Sequence, residues 1–101
     1  MIVYNISIKI NNAIEEEWVR WQKTDHIPEV MSSGHFIDYK FYHLLEDEVS
    51  DSDIYIVQYF SQSMQEYNKY IDNFAAGLRQ KALDKWGNQF IAFPTIMQSV
   101  D

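Results

Sequence analysis

Residues 54–60, IYIVQYF, decide the fold. In an extended chain alternate side chains point to opposite faces. Here Tyr55, Val57 and Tyr59 share one face, and Ile54, Ile56 and Phe60 share the other, with Gln58 the one polar residue among them. A strand with one wet face would alternate apolar with polar. This one does not, so both of its faces are expected to be covered.

Upstream lies EDEVSDSD (46–53), acidic and turn-prone, a hairpin connection back to a second extended run, Phe36 to Leu45. In that run Ile37, Tyr39, Phe41, His43 and Leu45 alternate against Phe36, Asp38, Lys40, Tyr42 and Leu44, and neither face is purely polar. Before it stands EEEWVRWQKTDHIPEVMSSGHF (15–36), which holds two of the three Trp and two of the three His. Ile14, Trp18 and Trp21 fall at i, i+4, i+7, which predicts a helix with both indoles toward the core rather than a platform for a ligand. Asn12 with Glu15 has capping-box spacing, and Glu15, Glu16 and Glu17 complement the dipole of the first turn. Pro28 is expected to stop this helix, because the residue before a proline avoids the α region. A short second turn, 28–32, would be held down by Ile27, Val30 and Met31 and closed by Gly34 in the left-handed conformation.

The chain opens with a clean alternation, Ile2, Tyr4, Ile6, Ile8 and Ile10 against Val3, Asn5, Ser7 and Lys9, a strand whose isoleucine face is a core face. Beyond IYIVQYF, Ser63 and Glu66 form a second capping box. Tyr67, Tyr70, Ile71, Phe74 and Leu78 make the apolar stripe of a helix running to about Lys85 and stopping at Gly87, with a kink expected at Ala75-Ala76-Gly77. A last strand spans 90–100, and Pro94 places it at a sheet edge or near its own start.

The order strand, helix, strand, strand, helix, strand is the split βαβ pattern of ferredoxin-like α+β domains: a four-stranded antiparallel sheet with two helices on one face. Residues 1–101 make a single domain of this kind, with no repeat or linker. Two helices cover one side of such a sheet. An apolar second side of several hundred square ångströms calls for a cover, and a second copy packed face to face is the economical one. A homodimer is therefore expected.

Composition removes whole classes of function. Acidic residues outnumber basic ones 15 to 8, for a formal charge of −7. That balance repels phosphate backbones and anionic membranes, so no nucleic-acid and no membrane partner is expected. RNA-recognition modules share the element order and carry strand aromatics, echoed by Tyr4, Tyr55 and Tyr59, but their basic and glycine positions are missing here. The absence of cysteine excludes thiol nucleophiles, disulfides and thiolate metal sites. MIVYNISIKINN lacks the basic start and apolar run of a signal peptide, and a cytoplasmic address is the expectation.

MIVYN at the start, HIPEVM (26–31) followed by a glycine, VQYF (57–60) and LRQKALDKWGNQF (78–90) together resemble a family of short bacterial proteins of unknown function that belongs with the dimeric α+β barrels. The resemblance covers essentially the whole chain, and it implies the barrel. The wider superfamily includes cofactor-independent monooxygenases, small-molecule isomerases, haem-degrading enzymes and members with no known activity. No catalytic residue carries over from it.

Among candidate site residues, Asn5, Ser7 and Gln58 would face the space between two sheets, where three polar groups on an apolar wall orient a small hydrophobic ligand or else hydrogen-bond one another. His26 and His43 are the candidate general bases of a cofactor-independent oxygenase or isomerase acting on a small hydrophobic or aromatic substrate. As plain structure, His26 would cap helix-end carbonyls, and His43 would pack on its strand with no partner to orient it. His26, Glu29 and His35 offer metal-ligand types, but their spacing matches no established signature, and Pro28 interrupts the helix that would align the first two. The acidic 46–53 segment lacks the offsets and glycine of a calcium loop. No metal and no cofactor is expected, and three readings stand: a non-catalytic or small-ligand-binding dimeric barrel, such an enzyme, or a pure dimerisation module.

Overall fold

The computed structural model describes residues 1–45 and 52–101. The acidic hairpin tip read from the sequence lies mostly outside the described residues; Ser52 and Asp53 are already in a strand. In chain order the elements are β1 (Ile2–Asn11), α1 (Glu15–Trp21), α2 (Ile27–Ser32), β2 (Asp38–His43), β3 (Ser52–Ser61), α3 (Met64–Tyr70), α4 (Ala76–Trp86) and β4 (Phe90–Gln98). The strands form one sheet in the order β2-β3-β1-β4, with every neighbouring pair antiparallel. This is the ferredoxin-like βαββαβ arrangement. Pro94, with no N–H to give a second neighbour, sits on edge strand β4 opposite Ile6.

The register decides which side chains face the helices. Tyr4 lies opposite Tyr59, Ile6 opposite Val57 and Ile8 opposite Tyr55. These residues and Trp18, Ile27, Val30, Tyr70 and Leu78 from the helices form the core. Its densest part is aromatic. Tyr4 packs on Phe36, Tyr59, Tyr67 and Tyr70, and Trp18 packs on Phe41 and Tyr55. Phe36 departs from its expected side. The strand starts only at Asp38, so strict alternation does not reach back to Phe36, whose ring turns under the helices and is buried.

Pro28 does not stop the first helix. Helical backbone continues from α1 through a wide π turn, Gln22–His26, straight into α2, and Ile27, the residue before the proline, is itself α-helical at φ −59°, ψ −45°. An α-helical Pro28 lacks an N–H and crowds the carbonyl four residues back. The turn ahead of it widens instead: the Ile27 N–H bonds the Gln22 carbonyl, five residues back. The helix then ends where expected, with Ser33 and Gly34 donating to the carbonyls of Val30 and Met31 and Gly34 at φ +82°.

The entry into this arm is also shifted. Asn11 is the capping residue, its Oδ1 accepting from the Ala13 N–H, and a 3₁₀ turn, Asn12–Ile14, precedes α1. The second cap falls where the sequence put it, with Ser63 Oγ accepting from the Glu66 N–H. A second π turn, Ile71–Ala75, joins α3 to α4 immediately before Ala76-Gly77, close to the expected kink.

The far side of the sheet carries no helix. Val3, Ile54, Ile56 and Phe60 are partly exposed there, and Tyr42, Ile91, Phe93 and Met97 are exposed. With strands rising about 3.3 Å per residue and lying about 4.8 Å apart, the face measures roughly 500 Å².

Candidate functional site

The main cavity lies between the helices and the sheet, on the side opposite the one the sequence suggested. Its volume is about 410 Å³, within the range of small-molecule sites. It exists because β4 turns small side chains toward the helices. Ala92 and Pro94 stand opposite Ile8 and Ile6, where larger residues would have filled the space. Its mouth opens between α4, at Arg79, Ala82 and Leu83, and β4. Its inner wall is Trp18, Trp21, Val57 and Tyr59.

Two polar side chains of the wall come from the first π turn. Gln22 is only 3 % exposed, and its Oε1 has no hydrogen-bond partner among the described residues. Leaving a buried amide oxygen unpaired costs on the order of 1–3 kcal/mol, so such atoms are uncommon; among the described residues Ser52 Oγ and Trp86 Nε1, outside this cavity, are the others. His26 is partly buried and stacked on Trp21, ring centroids 4.7 Å apart. Burial lowers its pKa below the usual imidazole value, the Glu29 carboxylate pulling back up and the Lys81 ammonium pushing further down. Neutral at pH 7, it is able to accept a proton. It caps no helix end, contrary to the plain reading of the sequence, because the helix does not end there. Across the cavity the Arg79 Nη2 donates to the Tyr4 hydroxyl at 3.2 Å, and that bond holds the guanidinium's pKa up. Tyr59, deeply buried, has its phenol pushed well above the usual range by desolvation.

The other residues singled out from the sequence fall elsewhere. Asn5 and Gln58 meet on the open face, Gln58 Nε2 donating to Asn5 Oδ1 at 3.1 Å. Asn5 Nδ2 in turn donates to Thr95 Oγ1 at 3.2 Å, a partner the sequence reading missed. Ser7 is on the same face, between Ile56 and Phe93. His43 lies at the far end of β2, outside the cavity lining, and it does have partners. Its Nε2 is 3.1 Å from Asp53 Oδ1 and 3.9 Å from Glu15 Oε2, and its ring stacks on Tyr55 at 4.3 Å. His26, Glu29 and His35 are not brought together. Glu29 pairs with Lys81 at 2.7 Å, and His35 Nδ1 with Glu66 at 3.2 Å.

Gln22, Arg79 and the Ala92/Pro94 opening were not found from the sequence. One signal was available: Phe90, Ala92, Pro94 and Ile96 alternate onto the helix side with the smallest residues in the middle. Trp21 is both core and cavity wall.

Residues 1–100 match the model of a family described as a domain of unknown function, DUF4286. The chain belongs to that family. No curated protein matches it. Among solved structures it is similar to an ethyl tert-butyl ether d (EthD) family protein from Bacillus halodurans, with 12 % identity, TM-score 0.71, 99 % of this chain and 100 % of the other. It is also similar to a dimeric ferredoxin-like protein from an uncultured marine organism, with 12 % identity, TM-score 0.69, 99 % of this chain and 96 % of the other. A third is a variant of SnoaB, a cofactor-independent oxygenase from Streptomyces nogalater, with 10 % identity, TM-score 0.55, 99 % of this chain and 94 % of the other. At these identities the likeness is one of fold, and DUF4286 itself names no reaction. Among the described residues no helix is long and apolar enough to cross a membrane.

Proposed function

We propose that this DUF4286 chain is a homodimeric α+β barrel, each protomer holding one small, largely apolar molecule between its helices and its sheet. The observation that carries the ligand is a cavity of about 410 Å³ with Gln22 in its lining, whose buried Oε1 is unpaired among the described residues. A bound molecule with a flat apolar body against Trp21 and Tyr59 and a hydrogen-bond donor to which the Gln22 amide turns removes that penalty. The ligand role that the sequence suggested for Asn5, Ser7 and Gln58 passes to Gln22, His26 and Arg79. Asn5, Gln58 and Thr95 instead set the register of two open sheet faces packed together. The dimeric ferredoxin-like relative in fold supports that assembly, and so does the apolar open face that carries Ile56, Phe60, Phe93 and Met97. A cytoplasmic address is part of this reading, and the excess of carboxylates disfavours nucleic acid as a partner.

Native mass spectrometry of the protein purified from cells tests both parts. A mass of two chains, plus a retained small molecule released on denaturation, is the expected result. A bare single chain at low micromolar concentration sinks the reading.

A catalytic reading has one specific support. His26 is held neutral on the cavity wall, placed to take a proton from a bound phenol or enol, as a cofactor-independent oxygenase or isomerase requires. His43, the other candidate base, faces two carboxylates outside that space. Oxygen uptake or isomerisation of such compounds, abolished in His26→Gln, is the corresponding test.

A further inference from the structure

We propose that Glu15, His43 and Asp53 form a site for a divalent first-row transition cation, independent of the helix–sheet cavity. The three come from three elements, the start of α1, the end of β2 and the start of β3, and each offers one ligand atom. Those atoms lie within 4.8 Å of one another. Donors about 2.0–2.2 Å from a shared cation sit roughly 3–3.6 Å apart. The His43 Nε2 to Asp53 Oδ1 distance of 3.1 Å already meets this, and with 3.9 Å to Glu15 Oε2 and every pair within 4.8 Å the carboxylates close by up to roughly an ångström on a shared cation. One imidazole with two carboxylates is a donor set for Zn²⁺ or its first-row neighbours rather than for Mg²⁺ or Ca²⁺, which favour oxygen alone.

Charge points the same way. Lys and Arg pair with Glu16, Glu29 and Glu66, yet among the described residues none pairs with Glu15 or Asp53. Two carboxylates are gathered around a single imidazole, in a protein of formal charge −7. A cation supplies the missing complement. On binding it displaces the Nε2 proton to solvent and takes over that lone pair.

The surroundings are built to hold these groups. The Tyr55 hydroxyl donates to Glu15 Oε2 at 2.7 Å, and its ring stacks on His43 at an interplanar angle of 9°. One residue thus orients two ligands, as partners behind metal ligands do.

The test is titration of the full chain, stripped with a chelator, with Zn²⁺ by calorimetry and with Co²⁺ by its visible absorption bands. Expected is one ion per chain, with affinity at least tenfold weaker in His43→Ala and in Asp53→Asn. Tyr55→Phe acts as a positioning variant and weakens binding severalfold, without changing the stoichiometry. His35→Ala removes a similar histidine–carboxylate pair and leaves binding unchanged. Circular dichroism verifies that each variant is folded. Should one fail to fold, the Co²⁺ bands of the parent chain must still report nitrogen and oxygen ligation, with the His43 ring signals shifted in NMR. No uptake up to about 1 mM Zn²⁺, a millimolar affinity being only about −4 kcal/mol, or uptake that survives His43→Ala, overturns the site.

Discussion

The Ile27 N–H reaches back to the carbonyl of Gln22, and the π turn that this i→i−5 bond closes carries both Gln22 and His26 onto the wall of the cavity. Pro28 fits this turn, since widening is one way a helix passes a proline without an end, although the π turn at Ile71–Ala75 forms with no proline beside it. The fold and the site are therefore linked through one exposed residue that does not itself line the cavity. Pro28→Ala restores the missing N–H and lets the turn tighten to ordinary α geometry. The expected outcome is stability equal to or above that of the parent, because alanine is the better helix former, together with at least threefold weaker binding of a hydrophobic fluorescent probe. Thermal melts and probe titration read the two effects separately.

Gln22→Leu should stabilise the free protein. The substitution keeps roughly the same volume and removes a buried oxygen that has no donor, an exchange worth about 1–2 kcal/mol. A domain of this size responds with a rise of roughly 4–8 °C in Tm for each kcal/mol. Any molecule that uses the Gln22 oxygen loses affinity in the same variant. A stabilised protein that binds less well is the mark of a residue kept for its ligand. An unchanged or lowered Tm would mean that the amide is satisfied by water.

The contrast between Tyr59 and Gln22 shows what the sequence could convey. Strand residues were legible because period-two alternation survives any context, so the helix-side face of IYIVQYF and the isoleucine face of β1 follow from pattern alone, and the edge is one of the two places that Pro94 allows. Phe36 was misplaced because alternation applies only inside a strand, and its strand begins two residues later. Pro28 was misread because its local preference is to end helices. A one-residue widening of the backbone satisfies it equally well and leaves no trace in composition. The cavity depends on what is missing opposite Ile6 and Ile8, a property of register between β1 and β4. His43 gained Asp53 and Glu15 by the same route, through strand pairing and the docking of α1.

The His26 environment makes stability depend on pH with a definite sign. Its folded pKa lies below the unfolded imidazole value of about 6.5. Above that value the ring is neutral in both states and contributes nothing to the dependence. As pH falls through it, the unfolded chain takes up the proton first, so stability declines until the folded pKa is passed and then levels off. His26→Gln should flatten this decline between pH 6.5 and the lower folded value, with little change at pH 8. Denaturant unfolding across that range checks it, and NMR titration of the ring gives the folded pKa directly. A ring titrating above 6.5 in the folded protein would remove both this prediction and the catalytic reading, since the wall would then present a cation.

The open sheet face supplies the last test. Phe93 is 56 % exposed in the single chain and stands next to Ser7 on the uncovered side. Ile56 sits on the neighbouring central pair, across from Ser7 on β3. If two such faces pack together, Phe93→Glu buries two uncompensated carboxylates per dimer, one from each copy, and Ile56→Glu does the same nearer the centre. Buried charges without partners cost several kcal/mol each. Each variant should therefore sediment as one chain at concentrations where the parent sediments as two. The fold of the single chain should persist, because neither side chain belongs to the helix-side core. Tyr42→Glu, on the other edge strand in the same row of this face, should weaken association in the same way as Phe93→Glu. Equal sedimentation of all three variants and the parent would place the contact between copies somewhere other than this face.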